Sequence, residues 1–378
     1  MSLAKLNPNR LNVLIALLIL SIVGCQSSIP KSQPQPREVR SDTQLVLNNA
    51  MLEQSNKQDN TVWKIKADNI VYSEDKQIAT LNRVVGNLWQ NGTIILKVSA
   101  KTGEVRDNGN IIILNQDIVA SDPRNNSVIN TDAAEWRPQE NLLLIKEELV
   151  GTHPNLKVTA DSGTYLTDIE QLAIQGNVVG TTNQPDLELT SDRLEWNIAQ
   201  NKLQSPGAVE LVRYQGDQTI TEQLVGDRAE VDLVEHTATL NQNIELITLK
   251  PQLQIATDFF VWNYQQRSGQ TDRPIQIWDR DRQINLTGNQ GEINLPRAVA
   301  TLEKGVKGIN QQKASELYAR QLIWNMEAEE VEATGNVIYE QADPQARLTG
   351  EKAVGQLSDN NIVVTGSDQQ QVQTIIDN

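Results

Sequence analysis

Alternating apolar and polar residues recur along most of the chain at a nearly fixed interval. In the run LKVTADSGTY, Leu156 to Tyr165, a small residue and an acid, Ala160 and Asp161, interrupt a strand-like alternation. We take Asp161 as the register mark, and its equivalents are mostly 31 residues apart. They are Asp68, Lys101, Asp132, Asp192, Asp227, Asp258, Asn289, Arg320 and Glu351. A fixed interval of this length predicts a stacked repeat architecture.

Four columns of residues around the register mark predict a strand that bends. Position −3 is always aliphatic and position −1 always small, whereas +2 and +4 point inward after a one-residue slip. Period 2 predicts a strand, and a slip of one residue predicts a bulge or a sharp bend. Aromatic residues occupy six of the ten +4 positions, namely Tyr72, Trp136, Tyr165, Trp196, Trp262 and Trp324. Each strand is therefore expected to bend at the small residue and to enter a second sheet.

Return strands are predicted between the marked strands. Several carry a turn-forming centre, such as QGNV at Gln175 and TGNV at Thr334, and Gly and Asn readily adopt the positive φ that a bend requires. The predicted fold is therefore all-β, an elongated antiparallel β-jellyroll built from about ten repeats of about 31 residues. Two strand levels per repeat, each about 4.8 Å, give a length on the order of 100 Å.

The first 24 residues predict a lipoprotein signal peptide. Lys5 and Arg10 precede an apolar run, Val13 to Val23, that is too short for a comfortable membrane span. The run ends at Gly24 before Cys25, which is the one cysteine of the chain. We predict cleavage here and lipidation of Cys25; the alternative is an unmodified thiol. Residues 25–42, rich in Ser, Pro and Gln, predict a flexible tether.

The remaining chain is divided into two predicted stacked halves and a tail. The interval between Asp192 and Asp227 is longer than the others and adds a loop around Tyr214 to Ile220. We therefore expect an N-terminal jellyroll over residues 43–212 and a C-terminal jellyroll over residues 213–366. Residues 367–378 lose the pattern and are expected to be a frayed tail.

Composition excludes several classes of function. The net charge is −15, and without Lys5 and Arg10 it is about −17, which disfavours binding to nucleic-acid phosphates. The two histidines, His153 and His236, have no neighbouring ligand pattern, so neither a metal site nor a histidine triad is expected. Equivalent register-mark acids lie two strand levels apart, too far to share a calcium ion. We expect no catalytic residues and no cofactor.

Several runs resemble the LptC and LptA (OstA-like) family of the lipopolysaccharide export bridge. They are WKIKADNIVY with LNRVVG, then AKTGEV and LKVTADSGTY. The resemblance to LptC is closest over about residues 43–180, and later units resemble the shared OstA-type repeat. It implies a V-shaped groove (a β-taco) that holds acyl chains between two sheets. Two departures are the lipoprotein leader, where LptC proteins usually keep a transmembrane helix, and a length about twice that of the family.

The inward columns supply the candidate lipid-binding residues of this groove. They are Ile65, Tyr72, Val98, Ile129, Val158, Tyr165, Leu189 and Trp196. The alternative is that these side chains simply pack on each other in a closed sandwich. Small residues at +2, such as Gly103, Ala134 and Gly163, are expected to leave room for a ligand beside the aromatic residues.

The resemblance also implies partners and a location. An LptC-like protein accepts lipopolysaccharide from an inner-membrane ABC transporter and passes it to an LptA-like jellyroll by strand addition at an exposed edge. The expected location is the periplasm, with an N-terminal lipid or signal anchor in the inner membrane. Two alternatives remain open: a carbohydrate-binding or carbohydrate-active β-solenoid, and a passive envelope scaffold.

Overall fold

The computed structural model describes residues 44–56, 60–216, 218–358, 361–366 and 372–375. The predicted signal peptide, Cys25 and the tether lie outside these residues. Within them the chain forms 28 antiparallel strands, all hydrogen-bonded into one sheet, and two short 3₁₀ turns at Asp107–Gly109 and Pro138–Glu140. The predicted all-β fold is confirmed.

The strands that carry the register mark alternate with return strands along the ladder. The marked strands are β2 (Thr61–Tyr72), β4 (Thr93–Arg106), β6 (Ser127–Arg137), β9 (Leu156–Ala160) with β10 (Ser162–Leu166), β12 (Asp186–Asn197), β15 (Thr219–Gly226) with β16 (Arg228–Asp232), β18 (Leu253–Asn263), β21 (Ile284–Gly288) with β22 (Gln290–Asn294), β24 (Ser315–Asn325) and β26 (Gln345–Gln356). The return strands are β1 (Val46–Asn56), β3 (Ala79–Gln90), β5 (Ile111–Asp122), β7 (Leu142–Ile145) with β8 (Leu149–His153), β11 (Gln171–Asn183), β13 (Lys202–Ser205) with β14 (Val209–Gln215), β17 (Thr237–Thr248), β19 (Ser268–Thr271) with β20 (Ile275–Asp279), β23 (Val299–Asn310), β25 (Glu330–Ala342) and β27 (Asn361–Thr365) with β28 (Gln373–Ile375).

Each repeat bends at the register mark, as the phase slip predicts. β11 loses its register between Gln175 and Val178, where Gly176 and Asn177 adopt φ of 77° and 46°. The side chain of Asn177 donates to Oδ2 of Asp161 on the preceding strand at 2.9 Å. Asn243 donates in the same way to Asp227 at 2.7 Å. The register-mark carboxylates therefore close the bends.

The bends divide the ladder into two walls. Wall one contains the residues before the mark with their partners, such as β9, which pairs with β8 and the second half of β11. Wall two contains the residues after the mark, such as β10, which pairs with β7 and the first half of β11. The bends form a vertex where the walls meet. We call the hairpin turns at the opposite edges of the two walls the lips.

Inward side chains of both walls form one long core. Residues from Trp63 to Met326 belong to a single cluster of buried apolar side chains, and a smaller cluster of Ala319, Ala333, Val337 and Ala353 follows it. The +4 tryptophans Trp136, Trp196, Trp262 and Trp324 are at most 2% exposed. The alternating pattern read from the sequence is therefore the interior of the fold.

The ladder passes the predicted boundary between the two halves without a break. Residues around Tyr214 and Ile220 form the end of the β14–β15 hairpin, and β14 and β15 also pair with β12 and β17. The domain boundaries at 212 and 213 stay predictions. In the tail predicted to fray, Gln373–Ile375 is a strand that pairs with Arg347–Thr349, so the order of the ladder extends beyond residue 366.

Candidate functional site

The predicted groove residues lie in the closed part of the interior. Seven of them are at most 6% exposed and belong to the long core cluster: Ile65, Val98, Ile129, Val158, Tyr165, Leu189 and Trp196. Tyr72 is half-buried and packs against the same cluster. At these levels the protein's own side chains fill the space between the walls, and binding of lipid to these residues stays a prediction.

Contacts between the walls show how closely they approach. A Cβ atom added at Gly86 of wall one would lie 3.0 Å from Cζ3 of Trp136 in wall two. The ring of His153, on the lip of wall one, meets the ring of Trp196 edge-on, with 5.2 Å between centroids. Burial lowers the pKa of His153 below its ordinary value, because this packing disfavours the charged form of the ring. The walls are in van der Waals contact here.

The room expected beside the small +2 residues is not present. A Cβ at Gly103 would lie 3.3 Å from a methyl group of Val84, and a Cβ at Gly163 would lie 2.9 Å from one of Leu149. That expectation was wrong because the neighbouring aliphatic side chains lean into the space that each glycine leaves.

Polar contacts join the two lips in the first half of the stack. Arg124, on the lip of wall one, donates to the carbonyl oxygen of Thr167 at 2.6 Å and lies 3.5 Å from the carboxylate of Glu170 on the lip of wall two. The hydroxyl of Tyr165 donates to Oδ2 of the buried Asp122 at 2.7 Å. Burial, followed by the hydrogen bond to Asp122, raises the pKa of Tyr165 above its usual range. Tyr165 therefore contributes to the closure of the lips.

A second set of contacts joins the lips at the middle of the stack. Glu222, which is 3% exposed, accepts from Arg213 at 3.2 Å within wall one and also from Arg267, which reaches across from the lip of wall two. Arg213 also donates across the lips to the carbonyl oxygen of Tyr264. Burial raises the pKa of Tyr264 to about 12. A buried carboxylate between two guanidinium groups holds this part of the edge shut.

A cavity of about 510 Å³ opens between the walls at the C-terminal end of the stack. Apolar side chains line it on both sides, namely Leu286, Leu317 and Tyr339 of wall one and Leu322, Trp324 and Ile362 of wall two, and polar residues such as Asn310, Gln312 and Gln356 line it as well. The volume lies within the range of about 300–1,000 Å³ that is usual for ligand pockets. This cavity is the candidate functional site.

The sequence explains why the interior opens at this end. From Trp196 onward the +4 position holds Trp196, Val231, Trp262, Ile293 and Trp324, but the last unit carries Gly355. Gly355 and Ala353 both line the cavity. Because a tryptophan is replaced by a glycine on the same inward column, the last level leaves volume that its neighbours do not fill. The +4 column therefore contained the signal for this site, which the sequence analysis did not use.

The rim of the cavity carries a cationic side chain. Lys313, in the β23–β24 turn, lines the cavity, and its Nζ donates across the lips to the carbonyl oxygen of Leu357 at 2.5 Å. One level below, Arg282 pairs with Glu329 across the lips at 2.9 Å and with the buried Asp279 at 3.0 Å. The hydrogen bond to Glu329, and after it the hydrogen bond to Asp279, raises the pKa of Arg282 above its ordinary value, although burial acts in the opposite direction.

The interior also holds indole donors without acceptors. Nε1 of Trp136, Trp196 and Trp324 is buried and has no hydrogen-bond partner in the structure. Such groups cost free energy, of the order of 1–3 kcal/mol each. Trp324 lines the cavity, so a ligand oxygen close to this ring would meet a vacant donor.

The described part of the chain contains neither a candidate metal site nor a candidate membrane-spanning helix. Within those residues no group of three or more His, Cys, Asp or Glu side chains is placed to hold a metal ion. The two 3₁₀ turns are the helical segments described, and no described helix has the length and apolar character of a membrane span.

The comparison with protein families gives one match. A family model described as lipopolysaccharide-assembly, LptC-related, matches residues 12–144 and 208–311. No curated protein matches the chain. The family match covers more than half of the chain and includes strands of both the closed interior and the levels that lead to the cavity.

Proposed function

The chain belongs to the LptC-related family of lipopolysaccharide assembly, and from this premise we propose that it carries lipopolysaccharide by holding acyl chains between its two walls. The terminal cavity is the observation that supports this proposal most directly. Apolar side chains of both walls line it, and it follows levels whose interior is filled. An acyl chain can therefore enter here without displacing the packed core.

The proposed role needs binding and release rather than catalysis. Apolar surface removed from water contributes about 25 cal/mol per Å², without directional contacts. A chain that moves along similar aliphatic positions therefore meets no single strong contact. We propose that Ile65, Val98, Ile129, Val158 and Leu189 serve the ligand only when the lips part at their levels, because they are buried in the closed form.

The edges of the ladder suit partners that add strands. Among the described residues β1 pairs with β2 alone, and its Met51 is 59% exposed. We propose that β1 receives one jellyroll-type partner by main-chain pairing, and that the far end, at β27 and β28, receives another. The family suggests an inner-membrane ABC transporter as the source of the lipid and an LptA-like protein as its acceptor.

We propose a periplasmic location with a lipid anchor at Cys25. The basic residues, apolar run and single cysteine of the N-terminal sequence support this. Two or three acyl chains on the N-terminal cysteine would hold the protein at the membrane, since a single chain binds only marginally.

A photo-crosslinking amino acid placed in the interior tests the proposal. In cells that make lipopolysaccharide, we expect a crosslinked product from Leu317 or Tyr339 in the cavity, and a weaker one from Val158 in the closed interior. An outward position such as Val363, which is 54% exposed, serves as the control. Absence of lipopolysaccharide at every inward position would contradict the proposal.

A passive envelope scaffold is the second candidate. The closed interior from Trp63 onward favours it, because a filled core needs no ligand. Crosslinking at the cavity separates the two functions, since a scaffold gives no lipid product there. A carbohydrate-binding solenoid has less support, because the +4 tryptophans are buried instead of forming an exposed platform.

A further inference from the structure

The rim of the terminal cavity contains a cation, Lys313, that has no charged partner among the residues that the structure describes. The ammonium group of Lys313 donates to the carbonyl oxygen of Leu357, which is neutral. By contrast, Arg282 and Lys307 nearby form ion pairs with Glu329 and Glu316. No described carboxylate lies within ion-pair distance of Lys313, although its side chain stands at the mouth of an apolar cavity.

We propose that the cavity is a binding site for amphiphiles with an anionic group, in which Lys313 holds the anion and the apolar lining holds the chain. This inference rests on the proposed function and deepens it, because it assigns the class of ligand and the residue that selects it. Charge-assisted hydrogen bonds to an anion are roughly twice as strong as neutral ones. An anionic group at the rim therefore offers Lys313 a better partner than the Leu357 carbonyl.

The geometry fits a ligand that spans the mouth. Lys313 lies at the lip, whereas Leu317, Leu322 and Trp324 lie deeper between the walls. A chain placed among these side chains would bring its polar end to the lip. Because Lys313 bridges the two lips in the closed form, binding of an anion would also release one contact that holds this end of the edge together.

Two acids line the cavity, Glu316 and Asp343, and Glu316 is paired with Lys307 at 3.0 Å. Asp343, in the β25–β26 turn, is exposed. Its charge weakens the attraction of an anionic group for the rim, and it gives the test a variant of opposite sign. Removing Asp343 should strengthen the preference for an anion, whereas removing Lys313 should abolish it.

Two photoreactive probes that differ only in charge test the proposal. The full chain in phosphatidylcholine nanodiscs is labelled at pH 8.5 with a diazirine-bearing palmitic acid or with its methyl ester. Labelling of peptides covering residues 312–318 and 353–362 is normalised to labelling of the nanodisc scaffold. We expect the wild-type chain to prefer the acid at least fivefold. Lys313→Met should reduce the ratio to about one, and Asp343→Asn should increase it at least twofold.

The control is Lys202→Met, which removes a lysine that pairs with Glu230 at 3.3 Å and that does not line the cavity. It should leave the acid-to-ester ratio unchanged. A ratio near one in the wild-type chain, or an unchanged ratio in Lys313→Met, would overturn the inference while the proposed function stands. Displacement of the acid by inorganic phosphate would assign the rim to a free anion and would also overturn it.

Two further outcomes contradict the proposal at a different level. If neither probe labels the cavity peptides, the proposed lipid-binding function fails together with the inference. If labelling is lost as the chain dimerises with rising concentration, the cavity is the contact surface for a second copy. Folding of each variant is checked by the thermal unfolding of the β-sheet circular dichroism signal.

Discussion

The middle and the last levels of the stack share a backbone design but differ in their interior. Around Trp196 the walls touch, and the lips are joined by the His153 ring. Around Gly355 the same ladder encloses a cavity of about 510 Å³. The strands pair in the same way in both regions, with a shift of register at the bend. The loss of side-chain volume at Gly355 therefore distinguishes the last level from the packed levels before it.

The largest difference is expected when a large inward side chain is removed from each region. Trp196→Ala should lower the free energy of unfolding by about 3–5 kcal/mol, because it empties a filled level. Leu317→Ala, at the partly open level, should cost only about 1 kcal/mol. Urea denaturation followed by circular dichroism measures both. Equal costs would contradict the description of the middle as filled and the end as open.

Removal of the buried acid at the middle of the lips is expected to cost somewhat less. Glu222→Gln should destabilise the chain by about 3 kcal/mol, because two arginines lose their shared partner. Glu230→Gln is the matched control; Glu230 pairs with Lys202 at 3.3 Å on the exposed face, and its loss should cost under about 1 kcal/mol. Unfolding midpoints in urea compare the two. A small effect at Glu222 would show that the lips are not held by this cluster.

Filling the cavity should make the last level resemble the middle. In Gly355→Trp the nearest atom to the new Cβ is the Asn361 carbonyl oxygen at 3.7 Å, an ordinary contact, so the backbone can accept the side chain. We expect labelling by the photoreactive palmitic acid to fall at least tenfold, with stability changed by less than about 1 kcal/mol.

The control for this substitution is Gly207→Trp, placed where no atom lies within 4 Å of the added Cβ. It should leave labelling of the cavity peptides unchanged. Persistence of full labelling in Gly355→Trp would show that the acyl chain lies elsewhere.

The smallest effect concerns alkaline pH. Since burial raises the pKa of Tyr264 to about 12, the stability that it contributes is complete below its ordinary value near 10 and is lost as the pH rises toward 12. We expect a loss of about 1 kcal/mol by pH 11 that is absent in Tyr264→Phe. Urea midpoints at pH 9 and pH 11 measure it. Equal slopes for both proteins would contradict the burial of this hydroxyl.

The repeat itself was readable from the sequence because it depends on local order. Period-2 alternation places Val158 and Tyr165 inward on opposite sides of Asp161, and the slip at Asp161 forces the bend that the structure shows. The family resemblance followed from the same columns and is shown by the family match. These features need only neighbours along the chain.

The contacts that close the lips could not be predicted in the same way. Arg282 and Glu329 are 47 residues apart, about one and a half repeats, and they lie in turns whose sequences do not follow the period. Such pairs depend on how far each turn leans toward the opposite wall. The cavity could be predicted only in part. Gly355 visibly interrupts the +4 column of the sequence, but whether a cavity results depends on whether neighbouring side chains fill the space.

The stagger of the cross-lip pairs has a mechanical consequence. Thr167 and Glu170 contact Arg124, which lies in a turn more than forty residues earlier in the chain. Glu329 likewise accepts from Arg282, 47 residues earlier. Each of these cross-lip contacts therefore joins neighbouring repeats. The bends are held separately, by hydrogen bonds to Asp161 and Asp227. Opening the lips of one repeat would strain the cross-lip contacts of the next repeat but would leave the bends at the vertex unchanged. A ligand that moved along the interior would therefore need to open only one repeat at a time, and the lips of the other repeats would stay closed.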